Sequence, residues 1–146
     1  MDSKLLCSNL SSYPIANIIS GGGAVINGHP LICGGHHTDP SKGFVTESSC
    51  YKHNKVSNTW TLHAEMNIGR TIFATAVVNG ALMVIGGYSH VDGSTIDLDS
   101  IEYINSNGSV YSGQTLPNVR YVEKAVTLND GRVIIMGGKK IGETSG

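Results

Sequence analysis

Apolar residues in this chain fall into short runs separated by tight polar turns, and three of the runs end alike. Pro30-Leu-Ile-Cys-Gly-Gly35, Leu82-Met-Val-Ile-Gly-Gly87 and Val133-Ile-Ile-Met-Gly-Gly138 each close on a glycine pair. Their first glycines, Gly34, Gly86 and Gly137, stand 52 and 51 residues apart. Upstream of each pair another apolar run stops at a turn: Ala24-Val-Ile-Asn27-Gly28, Ala76-Val-Val-Asn79-Gly80 and Val126-Thr-Leu-Asn129-Asp130-Gly131. Asn-Gly suits a type I′ turn, whose two central residues both need positive φ. Each unit therefore opens with a β-hairpin, and its nearly continuous apolar second strand suits a sheet covered on both faces.

The rest of each unit carries two more strands. The pattern predicts strands near 22–27, 30–35, 47–52 and 58–62, then near 72–78, 82–87, 99–104 and 109–113, with two more near 122–128 and 132–138. A period near 50 with four short strands is that of a kelch-type β-propeller blade. A turn-rich β-sandwich would leave the repeat unexplained.

The residues Gly34-Gly35, Tyr51, Trp60, Arg70 and then Gly86-Gly87 resemble the kelch motif of a glycine pair, a Tyr, a Trp and an Arg before the next glycine pair. In the following repeat Tyr103 and Arg120 precede Gly137-Gly138, Tyr111 stands at the Trp position, and upstream Ile18 takes the place of the Arg. The resemblance covers nearly the whole chain and extends to the galactose-oxidase-like group. It implies an all-β fold, a kelch-type β-propeller segment of about 2.5 four-stranded antiparallel blades in an incomplete ring, since rings close with about 4–8 blades. Residues 15–66 and 67–117 each form a blade on this reading. Residues 118–146 supply the first two strands of another, and residues 1–14 the last strand of a preceding blade plus its connection. Two blade faces left open imply a piece of a longer protein, or head-to-tail association of copies to complete a ring.

Glycine at a strand end lets a neighbouring ring lie over its backbone, and Trp60 or Tyr51 is expected to fill the volume between sheets. Composition agrees with many short strands: charged residues are 14 % and glycines number 19, against roughly 25 % charged residues in an average domain. A net charge of −1 gives no footprint for nucleic acid or anionic lipid. No apolar stretch has the length of a membrane-spanning helix. Residues Met1 to Cys7 show neither a basic n-region nor a sustained apolar run.

In a four-stranded blade the second-to-third and fourth-to-first connections share one face of the ring. Here they are the long loops His36–Thr46 and Tyr88–Leu98, with His63–Gly69 and Gln114–Arg120. Loops on a rigid scaffold are where binding concentrates, so His36, His37, Asp39, His90 and Asp92, with Arg70 and Arg120, are candidates for gripping a protein partner. The alternative for the arginines is a tie between strands. No metal or other cofactor is assigned, because adjacent histidines in a loop point apart. A copper oxidase would need a Tyr–Cys thioether, and Tyr51 and Cys50, as strand neighbours, face opposite ways.

The chain has three cysteines, Cys7, Cys33 and Cys50. Cys33 and Cys50 lie on adjacent strands, in a Cys-Gly-Gly…Cys-Tyr pattern that resembles secreted kelch-like proteins. They form either a bridge or a pair of buried thiols, and the compartment stays open with that choice. Asn9-Leu-Ser11 and Asn107-Gly-Ser109 match the N-glycosylation pattern. The function expected is that of a protein-binding module. The alternative is part of a galactose-oxidase-like or other propeller enzyme or lectin, with its active site on blades outside this sequence.

Overall fold

Asn27 and Gly28, and Asn79 and Gly80, all adopt positive φ (49°, 78°, 49° and 77°), and each pair folds a strand back on its successor. In the computed structural model, which describes residues 10–119, 121 and 124–139, β1 (Gly22–Ile26) thus pairs with β2 (His29–Cys33). The chain then leaves the sheet for a small hairpin, β3 (His36–Asp39) and β4 (Gly43–Thr46). It returns as β5 (Ser49–Asn54) and β6 (Thr59–Glu65), completing an antiparallel sheet ordered β1-β2-β5-β6.

The next unit repeats this path. β7 (Ala74–Val78) and β8 (Ala81–Ile85) precede a hairpin of β9 (Tyr88–Val91) and β10 (Ser94–Asp97). β11 (Ile101–Ile104) and β12 (Val110–Ser112) then close a second four-stranded sheet. A third sheet begins with β13 (Lys124–Thr127) and β14 (Val133–Met136). The described residues form no closed ring and no helix.

The two small hairpins occupy what the sequence pattern reads as long loops. Their polar sequences hide the strand alternation, but their turns are well made. Asp92 and Gly93 both take positive φ, 50° and 77°. At the other tip the Asp39 carboxylate accepts bonds from the Ser41 and Lys42 amides and from the Ser41 hydroxyl.

The sheets stack face to face through apolar layers. Leu31, Cys33 and Cys50 of the first sheet meet Leu82, Val84 and Ile104 of the second, and its other face, with Met83, Ile85 and Ile101, packs against Val133 and Ile135. Each such aliphatic side chain removed from water contributes about 1.5–3 kcal/mol. β8 is buried at every position, as a strand in the middle layer must be.

Cys33 and Cys50 are bonded to each other directly across β2 and β5. They form a non-hydrogen-bonded pair, because the Gly34 amide donates to the Ser49 carbonyl at the next position. The second sheet holds Ile85 opposite Ile101 at the equivalent place, so an apolar contact there fills the role of a covalent bond here.

Two aromatic assignments need correction. Tyr51 is opposite Ile32, and the equivalent second-sheet position, opposite Val84, belongs to Glu102. Tyr103 and Tyr111 sit one residue further along and stack on each other across β11 and β12, 4.9 Å apart. Val110, not Tyr111, holds the place of Trp60. Nor do Trp60 and Tyr51 lie between the first two sheets. They face the other way, where Tyr13 covers both at 5.2 and 5.4 Å and the Trp60 indole donates to the Ser11 carbonyl. The ring that crosses the glycines is Phe73: a Cβ on Gly34 or Gly22 would lie 2.7 or 2.6 Å from it.

Arg70 is fully buried and ties the second blade together. It donates to the Gly86 and Ser100 carbonyls, each at 3.0 Å, and pairs with the Glu102 carboxylate. The first blade has Ile18 and Tyr51 at these two positions, so guanidinium and carboxylate are present together or absent together.

Two stability experiments follow. Replacing Cys33 and Cys50 by Ala opens a loop of 17 residues and is expected to lower the unfolding free energy by about 3 kcal/mol in urea titration. No loss would show that the bridge does not constrain the unfolded chain. Arg70→Met strands a buried carboxylate and is expected to destabilise by about 3–5 kcal/mol. The double variant Arg70→Met, Glu102→Leu should recover most of that loss, and failure to recover would locate the effect in the lost carbonyl bonds.

Candidate functional site

The glycine pairs decide where the two small hairpins stand. Gly34, Gly35, Gly86 and Gly87 all have positive φ, which turns the chain sharply out of its sheet without steric penalty. Beyond them, antiparallel bridges Ile19–His36, Thr71–Tyr88 and Tyr121–Lys139 recur at equivalent places. Each hairpin base is thereby fixed to the segment entering its own blade. Hairpins β3–β4 and β9–β10 then lie side by side, with the His90 amide donating to the Thr46 hydroxyl at 3.1 Å.

Between and below them is a cleft of about 610 Å³ lined by Phe44, Ile72, Tyr88, His90, Thr95 and Tyr121. Phe44 stacks on His36 at 4.6 Å and meets His90 edge-on at 5.3 Å. Tyr88 meets Tyr121 edge-on at 5.9 Å. The Thr95 hydroxyl and His90 Nδ1 are 3.3 Å apart across β9 and β10. Ile72 takes φ +48°, rare for a β-branched residue. Ser20, its equivalent one blade earlier, does the same at 56°, so the conformation belongs to the blade entrance and Ile72 follows it.

The structure treats the sequence-derived candidates unequally. His36 and His90 come together around Phe44. His37 turns aside and bonds the Glu47 carboxylate at 2.8 Å. Asp39 is spent on its own turn, whose hydrogen bonds from Ser41 and Lys42 lower its pKa to about 2. Asp92 serves the β9–β10 turn. Arg70, proposed from sequence as a partner anchor, is not available for that role because its whole side chain is buried. Arg120 lies outside the described residues. Sequence reasoning missed Phe44, Ile72, Tyr88, Thr95 and Tyr121, because the mostly polar hairpin strands carry no alternation that would mark the first and third.

Among the described residues no three His, Cys, Asp or Glu side chains converge as metal ligands. Cys50, being disulfide-bonded, has no thiol to give to a Tyr crosslink. No helix of the described residues is long and apolar enough to cross a membrane.

Four-stranded antiparallel sheets stacked face to face, with a glycine pair turning each second strand outward, define a β-propeller segment. Comparison with known proteins narrows the class. The chain is 32 % identical over 103 residues to an Arabidopsis thaliana protein named for an F-box and kelch repeats, a match covering 66 % of this chain and 29 % of that protein. Its fold aligns with that of YjhT at a TM-score of 0.63 and 17 % identity, over 74 % of this chain and 40 % of that one. No protein-family model matches. Repeat, fold and relative together support a kelch-repeat segment, which spans well under two thirds of the length of either of these proteins.

The His36 ring is bonded to the Thr71 hydroxyl at 2.9 Å. Burial, then the neighbouring His37, push its pKa below the ordinary 6.5. The unfolded chain therefore binds this proton more readily than the folded one, and the stability due to His36 is lost as pH falls below about 6.5. An NMR titration should place the His36 midpoint under that value, and His36→Gln should flatten the thermal-stability profile between pH 7 and 5. A midpoint at or above the free value would contradict this account of the cleft wall.

Proposed function

We propose that this kelch segment binds a partner protein through the face bearing the β3–β4 and β9–β10 hairpins. The observation that carries the reading is the aromatic cleft between them. Aromatic residues are enriched where proteins meet, and concave, mainly apolar sites with few polar groups are the usual form of a binding pocket. The scaffold beneath is stiff, since each hairpin base is hydrogen-bonded to its own blade entrance. The Arabidopsis relative pairs kelch repeats with an F-box in its name, which agrees with a recognition module attached to another domain.

Binding without catalysis fits the lining residues better than an oxidase or other propeller enzyme. The cleft's described lining residues include no carboxylate, lysine or cysteine, and the groups there able to move a proton are His90, Thr95 and the two tyrosines.

A photo-crosslinking residue at position 92, in the hairpin turn, is expected to capture the partner when the protein is expressed in its own cells. One at position 56, in the exposed turn at the other end of the blade, should not. Phe44→Ala should reduce the position-92 adduct at least ten-fold while leaving the melting temperature within a few degrees. Equal capture from both positions, or capture indifferent to Phe44, would sink the assignment of this face.

A further inference from the structure

The rings of the cleft are arranged in two steep pairs. Phe44 and His90 meet at 74°, as do Tyr88 and Tyr121, and all four line the same cavity. Walls at such angles surround an occupant rather than stack on it from one side. The face of an aromatic ring carries negative potential, so rings around one space attract a cation. Among the described lining residues there is no Lys or Arg to occupy that space from within. Behind Phe44, His36 is held in its neutral form at pH 7 by burial and by His37, so it puts no competing charge there.

The kind of cation follows from what the cleft lacks. A bare ammonium has three N–H donors and is strongly hydrated, so it needs acceptors when it leaves water. The described lining residues include no carboxylate, and their hydroxyls are those of Tyr88, Thr95 and Tyr121, of which Thr95 already faces His90 Nδ1. A trimethylated ammonium has given up those donors and carries its charge behind apolar methyl groups. These can lie against the rings and against Ile72, the aliphatic wall, whose side chain is 40 % exposed. We propose that the cleft of Phe44, Tyr88, His90 and Tyr121 recognises a trimethylated lysine side chain of the partner protein. The proposal rests on the reading of this face as protein-binding and specifies what is bound.

The test uses the full chain and three short peptides that differ at one side chain: trimethyllysine, unmodified lysine, and a neutral isostere with carbon in place of the quaternary nitrogen. Binding is followed by NMR through the tyrosine and histidine ring signals. The trimethyllysine peptide is expected to bind at least ten-fold more tightly than either of the others. Phe44→Leu and Tyr88→Leu keep apolar volume but remove the π face, and each should cut that affinity at least five-fold with the amide spectrum otherwise preserved. Equal binding of the neutral isostere would overturn the proposal by showing a merely apolar groove. No binding of trimethyllysine at millimolar concentration would overturn it too. If position-92 crosslinks persist in that case, the protein-binding reading stands and the cation assignment alone fails; if they are also lost, both fail.

Discussion

The structure depends on one backbone contact, the approach of a blade entrance to the glycine pair of the blade before it. The Gly35 amide donates to the Arg70 carbonyl at 2.9 Å, and the Arg70 amide donates to the Glu47 carbonyl at 3.0 Å. A Cβ on Gly34 would stand 2.7 Å from that same Arg70 carbonyl. Such closeness is open only to glycine, which also adopts both positive φ angles without steric penalty. The pair therefore does two things at once: it ends a strand and it admits the next blade. The apolar layers between sheets supply most of the free energy, but they are not directional. The glycine contact sets how far apart and in what register the sheets stack.

The site inherits its geometry from that contact. Because Thr71 bridges Tyr88 just after Arg70 is anchored, the β9–β10 hairpin is placed relative to β3–β4 by backbone hydrogen bonds. Arg70 adds a side-chain tie inside the second blade, reaching Gly86, Ser100 and Glu102. A buried ion pair adds little net stability compared with a well-packed apolar core, yet it strongly penalises loss of either partner. Its place beside the Gly86 turn means it also holds the base of the hairpin carrying Tyr88 and His90.

The repeat and its sheets were legible in the sequence because they rest on residues with narrow physical roles. Asn-Gly turns and glycine pairs announce positive φ, and the apolar runs between them announce buried strands. The hairpins were harder to read because His36, Thr38, Ser89 and Thr95 are polar on both strand faces, so no alternation of apolar and polar marks them. The aromatic register was misread for another reason. Lining up Tyr51 with Tyr103 matches residue types, but the backbone register makes Glu102 the equivalent of Tyr51, and a bulge between Cys50 and Tyr51 shifts β5 against β6. Arg70 looked equally suited to a surface or an interior role, and only burial decides between them. The cleft itself was invisible, since Phe44, Tyr88 and Tyr121 are scattered over nearly eighty positions and meet only because the blades stack.

Fixing each hairpin at its base leaves its tip mechanically independent of the blades. The bridges Ile19–His36 and Thr71–Tyr88 close the register before the hairpin strands have run their course. Changes in length at residues 40–42 or at Asp92-Gly93 would thus be absorbed beyond the point where the scaffold is set. Loop-closure entropy rises only slowly with length, so such insertions carry little thermodynamic burden. The fold in this way separates inheritance of shape from invention of contacts. Its tips are positions where new sequence can be tried, by chance or by a protein engineer, without renegotiating the stack beneath.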